Sequence, residues 1–217
     1  TYPFGRGGFE VSKLEEATAK RYLPAAKLSK LKSSTASNPQ CEYARKLFLF
    51  SYYCYGISFI DMAMLTAAHI KQMEDGDYIV YKRQKIKRQK GVKPISIKIT
   101  PAIRQLIESL QAASPTVDDF LLPVVTRSGY TGERLYMHIR TRYSKYQKYL
   151  RLLAEELGID FHLTSYVSRH TAAMTLQRNH IPREVISQML GHADLETTNV
   201  YLDSFDNGVI NEAAKVL

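Results

Sequence analysis

Tryptophan is absent from the 217 residues, and cysteine occurs only as Cys41 and Cys54. Cys54 sits in an apolar run, so the pair excludes a disulfide-stapled scaffold, supplies no metal site and suits a reducing compartment. No stretch of about 18 apolar residues occurs, and a membrane-spanning helix is not expected. The opening TYPFGRGGFE lacks the charged-then-apolar pattern of a secretory signal; the chain reads as a soluble fragment. Acidic residues are the scarcer charge: 21 Asp and Glu stand against 30 Lys and Arg, a formal net charge of +9. That balance disfavours acidic small molecules and favours a polyanionic partner such as nucleic acid. There is no internal repeat or low-complexity tract, which excludes a solenoid.

What is present is ordinary core material, 45% hydrophobic residues, arranged mainly at helical spacing. Glycines between Gly5 and Gly8 mark a flexible start. A polar stretch from Lys30 to Asn38 precedes a segment where Asn38 can cap and Pro39 takes the first helical position. Ala44, Leu47, Phe48, Ser51, Cys54 and Tyr55 then recur at helical intervals, as in a buried helix. GISFIDMAML supplies a second, short helix. Two strands are expected at Tyr78 to Ile86 and Pro94 to Ile99, forming a small antiparallel hairpin around a basic turn. Ile139, Tyr143, Tyr146, Leu150, Leu153 and Leu157 step by three and four, predicting a helix from about Tyr136 to Leu157 that Gly158 ends. Further helices are expected at Ser165 to Arg178, at Pro182 to Leu190 closed by Gly191, and near Leu195 to Leu202. The fold class is α+β, mostly helical with one small antiparallel sheet.

The chemistry lies in the last quarter. LTSYVSRHTAAMTLQRNHIPREVISQMLGHADLETTNVYL holds Arg169, His192 and Tyr201, separated by 23 and 9 residues. A phosphodiester is already anionic, and attack on it puts more charge on its nonbridging oxygens, so preorganised cationic and neutral donors are needed there. Arg169 offers a planar fork for two phosphate oxygens, and His192 can donate to one of them. A tyrosine such as Tyr201 can attack phosphorus and keep the bond energy, which lets a DNA hydroxyl reverse the step.

These motifs resemble the tyrosine recombinase (phage integrase) family: an Arg after a short polar stretch, then LGH, then TTxxYL with Thr197, Thr198, Tyr201 and Leu202 in register. LFLFSYYCYGISFIDMA further resembles the first conserved box of the Bacteroides-type integrases and invertases, and the likeness runs from about Thr18 to Phe205. It implies a linker over 1–16 from an absent N-terminal DNA-clamping domain, a catalytic domain over 17–205, and a tail over 206–217 that packs in cis or reaches a neighbouring protomer. It also implies a cytoplasmic enzyme that breaks and rejoins double-stranded DNA through a 3′-phosphotyrosyl intermediate, as a homotetramer on DNA and a monomer as a free fragment. No cofactor or metal is expected.

By the same resemblance Tyr201 is the nucleophile, with Arg169, His192 and Tyr166 on the phosphate; Tyr166 stands where many relatives have His and can still donate a hydrogen bond. A hairpin lysine protonates the leaving oxygen. Seven basic residues fall between Lys82 and Lys93: YKRQK read forward selects Lys85, and RQKGVKPISI read backward selects Lys90. Arg83, Lys87, Arg88 and Lys90 are candidates for DNA contact, and Asp61 for a supporting role. Where relatives carry a first-box arginine, this chain has Ser58 or Tyr55. That loss motivates the competing reading, a noncatalytic DNA-binding module in which Arg169 to Leu190 acts as a helix-turn-helix. His162, His170 and His180 share no face with carboxylates, so they form no metal site, and His170 is expected to pack beneath the active site.

Overall fold

The computed structural model describes residues 22–87 and 91–192. The expected linker, the helix near Leu195 to Leu202 and the tail lie outside them. Seven α-helices, one short 3-10 helix (Ala67–His69) and three strands are described: α1 (Ala25–Ser33), α2 (Pro39–Tyr53), α3 (Phe59–Ala63), β1 (Ile70–Met73), β2 (Gly76–Tyr81), β3 (Ile95–Lys98), α4 (Pro101–Ala113), α5 (Gly132–Glu156), α6 (Ser165–Arg178) and α7 (Arg183–Leu190). The mostly helical α+β class is as expected.

Helix α2 is the axis of the core. Its cap is the expected one: the Asn38 side chain accepts from Cys41 N, and Pro39 opens the helix. Ala44, Leu47, Phe48 and Phe50 are fully buried, and α4, α5 and α6 pack around them. Such an element cannot show a one-sided pattern, because neighbours surround it.

Four expectations are corrected. The sheet has three antiparallel strands in the order β1-β2-β3, not two. The additional strand, β1, is joined to β2 by the two-residue loop of Glu74 and Asp75, since Met73 pairs with Gly76; Asp75-Gly76 was the available hairpin signal. The strand expected to reach Ile86 stops at Tyr81, which pairs with Ile95. Beyond it Gln84 N–H bonds to the Asp61 carboxylate at 2.7 Å, so the backbone leaves the ladder for a turn. Finally, Lys30 to Ser33 belong to α1, and α5 begins at Gly132, one turn before the apolar periodicity starts.

Helix α4 went unread despite a clear signature. Thr100 caps it, Pro101 sits in its first turn, and Ile103, Ile107 and Leu110 form one buried stripe. Helices α6 and α7 match the expected spans closely. Gly191 ends α7 in the left-handed conformation, φ 64°.

Candidate functional site

Gly56 decides where the site forms. Its φ is +72°, and a Cβ there would lie 2.5–2.6 Å from Arg169 Cα, Cβ and Cγ. Only glycine lets the end of α2 approach α6 so closely. Arg169, on the inward face of α6, is thereby pressed beneath the first box with 4% of its surface exposed.

Its guanidinium is tied on three sides. Nη1 donates to Gly56 O at 3.1 Å, and Nη2 donates to Leu190 O at 2.5 Å and to His192 Nε2 at 2.8 Å. An arginine side chain only donates, so His192 Nε2 accepts and the ring proton sits on Nδ1. Among the described residues the buried Arg169 Nε–H has no acceptor. Burial, with the nearby Arg83 charge second, brings the Arg169 pKa from 12.5 down to about 10. The side chain stays protonated at neutral pH and is a desolvated cation short of negative charge.

Arg83 approaches from the end of β2, donating from Nη1 to Gly191 O at 3.3 Å. Gly191 also allows close packing here, because a Cβ would collide with Ile95. The 191–192 corner therefore rests against β3 on one side and Arg83 on the other. Asp61 joins the first box to the same corner of the sheet. Buried in α3, its Oδ2 accepts from Ser58 Oγ at 2.6 Å and its Oδ1 from Gln84 N–H. Ser58 also caps α3, so Ser58, one of the two positions (with Tyr55) where the resemblance leads one to expect arginine, is a helix cap bonded to Asp61. Tyr81, buried beside Asp61, has its phenol pKa raised chiefly by burial and then by that carboxylate.

Arg169, His192, Arg83 and Asp61 thus converge, as does Tyr166. The Tyr166 ring is half exposed and meets the ring of His170 edge-on at 4.9 Å. His170 is buried against it, as expected. Lys85 and Lys87 stand exposed on the turn after β2, one and three residues past the anchored Gln84. Tyr201, Arg88 and Lys90 lie outside the described residues. A cavity of about 410 Å³ opens over Arg169, lined also by Ser58, Arg83, Arg140, Tyr136, Tyr143 and Tyr166. Arg140, on the exposed face of α5, was missed by the sequence reading; its signal was its place beside Tyr136 and Tyr143 on a helix otherwise read for its core face. Among the described residues no cluster of His, Cys, Asp and Glu could hold a metal ion, and no helix is long and apolar enough to cross a membrane.

A mostly helical domain that buries an arginine against a histidine, with a three-stranded sheet bringing cations to the same point, is built to meet an anion. The chain belongs to the phage integrase family, whose model matches residues 21–207 and so spans Asp61, Lys85, Tyr166, Arg169, His192 and Tyr201. It is 30% identical over 121 residues to a tyrosine recombinase XerD of Brucella abortus, a match covering 52% of this chain and 36% of that relative. The chain therefore spans well under two thirds of such curated relatives. In fold it is similar to a XerA recombinase, with TM-score 0.62 and 20% identity over 90% of this chain and 65% of the other. It is also similar to the Tn1549 transposon integrase, solved in complex with transposon right end DNA, with TM-score 0.65 and 11% identity over 96% and 70%.

Proposed function

We propose that this chain is the catalytic domain of a site-specific DNA recombinase, of the Bacteroides-type branch, that cuts and rejoins double-stranded DNA through Tyr201. The observation that carries the reading is the buried Arg169 held 2.8 Å from His192 beside Arg83, in a chain whose family match extends through Tyr201. A scissile phosphate entering here would take hydrogen bonds from Arg169, from Tyr166 and, once its Nε2 is released from Arg169 and protonated, from His192. The charge building on the nonbridging oxygens would meet donors already in place.

In the reaction Tyr201 Oη bonds to phosphorus as its proton passes to solvent water, and the bond from phosphorus to the 5′-oxygen breaks. The leaving oxygen takes a proton from Lys85, with Lys90 the alternative. Return attack by a 5′-hydroxyl restores the phosphodiester and frees the phenol, with no cofactor consumed. Asp61 acts as a positioning residue, fixing the root of the turn that carries Lys85. Arg83, Lys87, Arg88 and Lys90 serve the DNA backbone. Residues 1–16 would link to a DNA-clamping domain, and residues 206–217 would connect protomers of a homotetramer on DNA.

The competing reading, a noncatalytic DNA-binding module, drew its force from the missing first-box arginine. Arg83 and Arg140 line the same cavity as Ser58, so positive charge is not missing from that side of the site, and the inward-facing Arg169 disfavours use of α6 as a groove-reading surface. The test is a nicked suicide DNA substrate carrying the cognate site, run on a denaturing gel with the full chain and with Tyr201→Phe. A covalent protein–DNA band that disappears in the variant is expected. A wild-type protein that shifts the DNA and never becomes attached to it would sink the enzymatic reading and leave the binding module.

A further inference from the structure

The cavity over Arg169 has a composition that phosphate binding does not require. Six large apolar side chains are markedly exposed among the described residues, and three of them, Tyr136 at 60%, Tyr143 at 37% and Tyr166 at 51%, line this one cavity. Exposed aromatics that gather in a concave place mark a binding surface rather than a scattered cost. Their floor is rigid. Phe59 sits 5.2 Å from the Tyr143 ring and 5.1 Å, stacked, from the buried Tyr146, and Ile139 is buried beside them.

Charge selects the occupant. Among the described residues the lining includes Arg83, Arg140 and Arg169 and no carboxylate, and none of them gives the buried Arg169 Nε–H an acceptor. Aromatic faces beside fixed cations suit a flat ring joined to an anion, the combination that single-stranded nucleic acid presents at every residue. A bare phosphate would leave the tyrosine walls unused, whereas a base and its own phosphate engage both at once.

We propose that this cavity receives one unstacked nucleobase of the DNA strand whose phosphate lies at Arg169, with Tyr136 and Tyr143 as its stacking walls and Arg140 closing the rim. The inference rests on the DNA-processing reading above and adds that the strand is distorted at the reacting nucleotide. Taking a base out of a duplex costs least where the strand is mismatched or nicked, so the pocket favours such a strand next to the cut.

The test uses the full chain and three fluorescent probes followed by anisotropy: a 12-nucleotide oligothymidine, a 12-unit oligomer of the same phosphate backbone with abasic residues throughout, and a mixed-sequence duplex. Wild type is expected to bind the oligothymidine about tenfold more tightly than the abasic oligomer, the usual worth of one base on an aromatic wall. Tyr136→Ala should lose that discrimination and Tyr136→Phe keep it. Tyr136 is mostly exposed, and a thermal melt checks that each variant folds. Equal binding of the two oligomers by wild type, or discrimination that survives Tyr136→Ala, overturns the pocket while leaving the recombinase reading intact, provided the duplex is bound. Failure to bind any of the three probes would overturn the DNA-processing reading itself.

Discussion

At the scale of single residues, Arg169 is the position where the protein has accepted a cost. Its folded pKa of about 10 lies below the 12.5 of the free side chain. For a cation this sign means that burial opposes folding at every pH below about 10, and that the penalty fades only as pH rises from there toward 12.5. An anion bound at neutral pH should relieve it. Sulfate at about ten times its Kd would add roughly 1.4 kcal/mol and raise Tm by about 3–5 °C in a chain of this size. Arg169→Gln should melt without responding to sulfate, and an unchanged response would place the anion elsewhere. Gly56→Ala should act on the same side chain from behind. A methyl group within 2.6 Å of Arg169 on a left-handed backbone should cost on the order of 2 kcal/mol and blunt the sulfate response as Arg169 is displaced.

At the scale of elements, the site is a junction of the ends of α2, α6 and α7 with the exit of β2, and Asp61 joins the sheet to the rest. Removing its carboxylate in Asp61→Ala would leave the half-buried Ser58 hydroxyl and the Gln84 N–H each short of an acceptor, a loss of about 1–3 kcal/mol. The loss should be local. Amide exchange at Gln84 should quicken while α2 stays protected, and covalent adduct on the suicide substrate should form more slowly as Lys85 loses its fixed root. Adduct formed at the wild-type rate alongside rapid exchange would separate the turn from the chemistry. This junction also shows where sequence was informative. Arg169, His192 and Gly191 were legible because they fall in motifs of fixed residue types at fixed spacing, and α7 because Pro182 precedes it and Gly191 ends it. The early end of β2 was only half legible: Lys82 to Lys85 is an unbroken polar run without strand alternation, but the tertiary bond that holds Gln84 off the ladder comes from Asp61, 23 residues earlier. Arg140 and Tyr136 were passed over for a related reason, since periodicity reports the buried stripe of α5, and the cavity joins Ile139 and Tyr143 of that stripe to the exposed residues at its edge.

At the scale of the molecule, the net charge of +9 becomes an argument only when it is distributed. Lys85 and Lys87 project from the turn after β2, and Arg83 and Arg140 line the cavity beside Arg169, so cations from the sheet and from α5 flank one opening. A duplex laid across it would shed condensed counterions from each phosphate it pairs. If those four side chains each neutralise one phosphate, the logarithm of affinity should fall against the logarithm of salt concentration with a slope of about −3.6. Affinity would then drop roughly 150-fold between 50 and 200 mM salt. The double substitution Lys85→Gln, Lys87→Gln should lower the slope by about 1.8 and weaken duplexes of any sequence alike, because backbone contacts carry no sequence information. Anisotropy titrations of wild type and variant at four salt concentrations measure this directly. A slope that does not change would mean that Lys85 and Lys87 stay clear of the backbone. A lysine that never nears the duplex could not protonate a leaving 5′-oxygen, so the same result would also remove Lys85 as the general acid and shift that role to Lys90.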